Sequence, residues 1–205
     1  MANIDLNNMD GIYYDVLREI GNIGAGNAAT SLAQMLQTKV DIKVPKIDLL
    51  DFSEVGEAMG GEELLMAGIY LGIEGDITGS IMFLLEEKAA HDLVSKLMGM
   101  PEAPEDQPFN EIEISALNEI GNIITGAYLN SLSTLTNMKI IASVPDLCID
   151  MAGAILSVPA IEFGEMGDKM LMIETAFTDD KEMNGYFILV PDLPSYEKLL
   201  TSLGM

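Results

Sequence analysis

The sequence predicts one α+β domain with pseudo-twofold symmetry, made from a single unit used twice. Three observations predict it. A shift of 100 residues aligns "DVLREIGNIGAGNAATSLAQMLQTKVDIKVPKI", from Asp15, with "SALNEIGNIITGAYLNSLSTLTNMKIIASVPDL", from Ser115, without a gap; about a third of the positions are identical, including an unbroken E-I-G-N-I. Both halves then continue through alternating apolar segments. Both end in a short helical pattern closing on Gly-Met. Self-similarity of this length is the mark of a duplicated structural unit.

The elements follow in order. Ile12, Val16, Ile20 and Ile23 open the first half at helical spacing, and Ile114, Leu117, Ile120 and Ile124 open the second. Strands are predicted in "KVDIKVPKIDLL", "LLMAGIYLGI" and "GSIMFLL", with counterparts in "MKIIASVPDLCI", "KMLMIETAFT" and "GYFILV". "EGD" and "DDKEMNG" read as the hairpin turns. "EKAAHDLVSKLMGM" and "LPSYEKLLTSLGM" read as closing helices. The first repeat covers about 9–100, a Pro-rich polar linker about 101–109, and the second repeat about 110–205, all within one domain, 1–205. Each half leaves a sheet edge uncovered, so neither is expected to be stable alone.

Composition narrows the function. Of 205 residues, 49% are hydrophobic, ample for a packed core. No apolar run reaches the roughly 20 residues that span a bilayer, and "MANIDLNNMDG" has neither a basic nor an apolar leader segment. A single cysteine, Cys148 in "PDLCIDM", excludes an internal disulfide framework; it is expected to be buried and inert, in a cytoplasmic protein. The net charge of −23, from 33 acidic and 10 basic residues, disfavours nucleic acid and anionic membrane, which need a basic surface. One histidine, one cysteine and no Asp-rich calcium loop argue against a metal site of the chain's own.

Residues 24–29, "GAGNAA", match the G-x-G-x-x-A form of a dinucleotide loop. Such a loop must leave a strand and open a helix. Here the preceding residues already follow a helical pattern, and the second copy, "IITGAY", lacks the first glycine. The glycines therefore belong inside a helix. At about 100° per residue, Asp15, Glu19, Asn22 and Gly26 fall on one narrow stripe beside the apolar face, and Ser115, Glu119, Asn122 and Gly126 repeat it. Glycine inside a helix costs about 1 kcal/mol against alanine. One that recurs on a polar stripe points to something approaching the backbone there. Gly21 and Gly121, on the opposite side, read as close packing. A Glu and an Asn on a helix are ordinarily a solvated face, and that bland alternative stands beside the functional one.

The chemistry open to such a stripe is limited. No histidine or nucleophile–base pair lies near it, which argues against a triad. A carboxamide both donates and accepts hydrogen bonds, so it can hold a water in line with phosphorus. A carboxylate one turn away can pair with a lysine on another protein. The stripe suits a phosphoprotein that brings its own magnesium and a labile acyl phosphate, with catalysis by positioning.

Asp15-x-x-x-Glu19-x-x-Asn22, then twenty-two residues and Pro45, resembles the signature of the CheC/CheX/FliY phosphatases of bacterial chemotaxis; Ser115, Glu119, Asn122 and Pro145 repeat it at the same spacing. The resemblance covers essentially the whole chain. It implies a central antiparallel sheet of about six strands, with the two signature helices side by side on one face and shorter helices elsewhere. It implies hydrolysis of the aspartyl phosphate of CheY-P. Asn22 and Asn122 would orient water, Glu19 and Glu119 would pair with the regulator's lysine, and Asp15, Ser115, Gly26, Gly126, Pro45 and Pro145 would support them. The chain would have no cofactor of its own, the magnesium being the regulator's. The resemblance further implies binding of CheD, a deamidase. The segment "DLCIDMAGAILSVPAIEFG" is the expected docking element, through Asp150, Ala152 and Ile155, with a core helix as the alternative. A monomer is expected in isolation. The rival functions are a non-catalytic binding module like the FliM middle domain and an adaptor that regulates CheD.

Overall fold

A computed structural model describes residues 11–37, 40–101, 107–163, 169–178 and 182–204. The first half runs α1 (Gly11–Leu36), β1 (Asp41–Asp51), α2 (Phe52–Ala58), β2 (Leu65–Gly75), β3 (Gly79–Glu86) and α3 (Glu87–Met98). The second runs α4 (Glu111–Thr136), β4 (Ile140–Ala142), β5 (Asp146–Met151), α5 (Ala152–Phe163), β6 (Lys169–Thr178), β7 (Glu182–Pro191) and α6 (Leu193–Ser202). The α+β class, the antiparallel sheet and the long paired helices are as the sequence indicates. Residues 24–29 lie in the middle of α1, so no phosphate loop is formed there.

The sheet order is β1-β6-β7-β3-β2-β4, with β5 also on β2, and every pairing is antiparallel. This order makes the duplication a reciprocal exchange. The first strand of the first half, β1, adds to the second half's hairpin through β6. The strands after α4, β4 and β5, add to the first half's hairpin through β2. The hairpins join at β3 and β7, where Phe83 pairs with Phe187 across the pseudo-twofold centre and their rings lie 4.9 Å apart. Each half therefore covers the other's open edge.

Strand alternation sends alternate residues to opposite faces. Ile69, Leu71, Ile81, Phe83, Ile173 and Phe187 face the core under α1 and α4. Met66, Met82, Leu84, Met172 and Ile188 face a second core under α2 and α5. With both faces covered, β3 is buried from Gly79 to Leu85. An uninterrupted apolar run, rather than alternation, is what such a strand requires.

Several sequence expectations change. The first half has a helix, α2, where none was expected, and it is equivalent to α5 but shorter. Glu182–Gly185, read as turn, already belongs to β7 and pairs with β6. The second copy's first strand is broken into β4 and β5 at Ser143–Pro145, whereas β1 passes Pro45 with only a register shift between Lys43 and Lys46. Proline cannot donate to a ladder, so both sites suit edge strands. Cys148, expected to be buried, is exposed on β5; its thiol donates weakly to the Gly68 carbonyl (3.6 Å), and partial burial, then Asp150 and Asp146, push its pKa up. A raised pKa disfavours the thiolate, the reactive form of the side chain.

Candidate functional site on two paired helices

The ends of α4 are fixed by local chemistry. Asn110 caps its start, accepting from the Ile112 and Glu113 amides at 3.0 and 3.1 Å, while Glu113 accepts from the Asn110 amide at 2.8 Å. This reciprocal box satisfies donors that the helix itself leaves free, worth about 1 kcal/mol. At the other end Asn137 takes the left-handed conformation (φ 53°) that stops the helix.

The buried sides of α1 and α4 sit very close to the sheet. A Cβ placed on Gly21 would lie 3.2 Å from Ile47 Cδ1, and one on Gly121 would lie 2.6 Å from Ile69 Cδ1. The close packing read from these glycines is thus helix on sheet. The approach of helix to helix is made by Gly24, whose Cβ would fall 2.5 Å from Tyr128 on α4. Asn27 adds a bond across the same seam, its Nδ2 donating to Ser131 Oγ at 2.8 Å. The exposed sides are opposite. Asp15, Glu19, Asn22 and Gly26 are exposed on α1; Ser115, Glu119 and Asn122 are exposed on α4, with Gly126 half-buried. An added Cβ at Gly26 or Gly126 would meet nothing within 4 Å. Both stripes are therefore open to another molecule, down to the helix backbone at the glycines.

The two copies are not identical. Asp15 forms an ion pair with Arg18 one turn away, while the second copy has Ser115 and Asn118 at these positions. Being exposed, that pair adds little to stability. One member of the α4 stripe was not anticipated: Ile112, 63% exposed, lies above Glu119 at a spacing of seven residues. The apolar spacing had been counted from Ile114, which the structure leaves partly exposed while Glu113 is buried in the capping box.

The remaining candidates lie elsewhere. Asp150 is exposed at the end of β5, but Ala152 and Ile155 are 0% and 2% exposed, in the core beneath α5. They hold the helix down and offer no surface to a partner; Val158 and Ile161 form the exposed apolar part of α5. His91 is buried on α3, stacked on Phe109 with ring centroids 3.7 Å apart. Among the described residues no group of three or more His, Cys, Asp or Glu could hold a metal ion, and no helix is long and apolar enough to cross a membrane. The chemistry the stripes can offer is hydrogen bonding by a carboxamide and ion pairing by a carboxylate, one turn apart.

A duplicated α+β domain with this topology is shared with flagellar switch and chemotaxis proteins of known structure. FliY from Thermotoga maritima superposes with a TM-score of 0.78 at 21% identity, over 96% of this chain and 98% of that one. CheX from Borrelia burgdorferi, in its complex with CheY, BeF3 and magnesium, superposes with a TM-score of 0.53 at 16% identity, over 82% and 95%. The profile of the CheC-like family matches residues 14–48 and 112–149, which hold both stripes. In sequence, the CheY-P phosphatase CheC of Bacillus subtilis is 38% identical over 194 residues, 93% of each chain. The chain belongs to the CheC-like family.

Proposed function

We propose that the chain is a protein phosphatase that accelerates hydrolysis of the aspartyl phosphate of CheY-P. The observation that carries this is the exposure of two Glu–Asn pairs, Glu19 with Asn22 and Glu119 with Asn122, each beside a glycine with open space above it. The name of the Bacillus subtilis relative, a CheY-P phosphatase, supports the substrate.

Each helix would add two side chains to a centre housed mainly in the regulator. Asn22 or Asn122 accepts from and donates to a water, holding it in line with phosphorus. The water oxygen bonds to phosphorus as the acyl P–O bond breaks, giving inorganic phosphate and the free aspartate. Glu19 or Glu119 pairs with the regulator's lysine and fixes the register. The magnesium is the regulator's, part of the substrate. Positioning of this kind is worth several kcal/mol of barrier.

The test is phosphate release from CheY-P with Asn22→Ala and Asn122→Ala combined. Loss of acceleration with an unchanged melting temperature supports the reading; undiminished release refutes it. A non-catalytic module like the FliM middle domain would show no acceleration in the unaltered chain.

We further propose that the chain binds CheD, with the exposed Val158 and Ile161 on the outer face of α5 and Asp150 at the end of β5 as the docking surface. Ile161→Asp should abolish CheD binding in a pull-down without affecting phosphate release from CheY-P alone. Retained binding would remove α5 from consideration.

A further inference from the structure

Ile112 stands out on an otherwise polar stripe. Single exposed apolar residues are common and need no explanation by themselves. Two features set this one apart. It is 63% exposed. Its backbone amide is tied to Asn110 Oδ1 at 3.0 Å within the capping box, so a fixed turn presents the side chain.

The chain's charge sharpens the point. At −23 it has little electrostatic attraction to offer a site that carries a phosphoryl group, and the stripe's own charge is a carboxylate. Adhesion must come from elsewhere, and a rigid β-branched side chain loses little freedom when covered. Along the helix, Ile112 is about 10 Å from Glu119 and about 15 Å from Asn122, at 1.5 Å per residue. One partner's share of an ordinary interface, about 800 Å², is roughly 30 Å across, so a single partner can cover that span.

We propose that Ile112 is the apolar anchor by which the α4 stripe grips the phosphorylated regulator, seated on an apolar patch of that protein about 10 Å from the lysine that Glu119 engages. The inference rests on the phosphatase reading. It assigns Ile112 a positioning role, distinct from the chemistry at Asn122.

The test uses the full chain carrying Asn22→Ala, so that the second stripe alone reports, with CheY-P as substrate. Adding Ile112→Ala should raise KM about ten-fold while kcat holds, as expected for loss of most of one isoleucine's burial. Ile112→Val should recover most of the loss, and the melting temperature should not move. An active Asn22→Ala parent whose KM is unchanged by Ile112→Ala overturns the anchor and leaves the phosphatase reading intact. A silent parent beside an active unaltered chain also overturns it, since the anchor would then serve no working site. An unaltered chain that releases no phosphate overturns the phosphatase reading and the anchor with it.

Discussion

Gly24 of α1 and Tyr128 of α4 fit each other: the ring lies where a Cβ on residue 24 would be, 2.5 Å from Cδ2. In the repeat frame the partners are Ile124 and Ala28, so the large and small residues are exchanged between the copies. Tyr128 is buried and stacks on Phe187 with centroids 5.2 Å apart, so it cannot swing away. Gly24→Ala should therefore destabilise by about 1–3 kcal/mol, because overpacking exceeds the helix-propensity gain. Denaturant unfolding measures it; a stabilised variant would mean that the seam is looser than described.

Gly26 and Gly126 should behave in the opposite way. With nothing within 4 Å of an added Cβ, alanine at each should stabilise the fold by about 0.5–1 kcal/mol. If a partner approaches the backbone there, the same variants lose kcat/KM toward CheY-P. A more stable chain of unchanged activity would separate the glycines from docking.

The reciprocal strand exchange bears on folding. A fragment ending near residue 100 lacks β6 to cover β1, and lacks β4 and β5 to cover β2. Either half alone should give no cooperative unfolding transition, while the two mixed should regain one. Circular dichroism of each half and of the mixture decides this, and a cooperatively folded single half would contradict it.

Stability at high pH should report the two buried phenols. Burial pushes the pKa of Tyr128 and of Tyr196 well above the ordinary tyrosine value. The unfolded chain then loses these protons first, near pH 10, while the folded chain retains them. Their contribution is complete below about pH 10 and declines as pH rises through the interval up to the folded values. Tyr196→Phe should flatten that decline in pH-dependent melting; an unchanged slope would assign it to other groups.

Much of this structure was legible in the sequence because duplication and periodicity are local signals. Six strand segments, the two long helices and the exposed stripes follow from spacing within one repeat, but the break that divides the fourth segment into β4 and β5, making seven strands, does not. The exchange of β1 and β4–β5 between hairpins was not legible, since spacing within a strand says nothing about its neighbour. Gly24 has no glycine counterpart in the second copy, so recurrence could not reveal its role as the small member of a pair with Tyr128, which Ala28 and Ile124 match with sizes exchanged. Ala152 and Ile155 were misplaced for a related reason: a uniformly apolar segment does not reveal which of its faces α2 and the sheet cover. The Glu–Asn stripes were legible because the helix period aligned them twice.

The most direct measurement is phosphate release from CheY-P by the chain carrying both Asn22→Ala and Asn122→Ala. The account expects acceleration to fall by roughly two orders of magnitude or more, as for loss of a positioning group, with the melting temperature unchanged. Acceleration at the level of the unaltered chain would contradict the assignment of water positioning to these two amides.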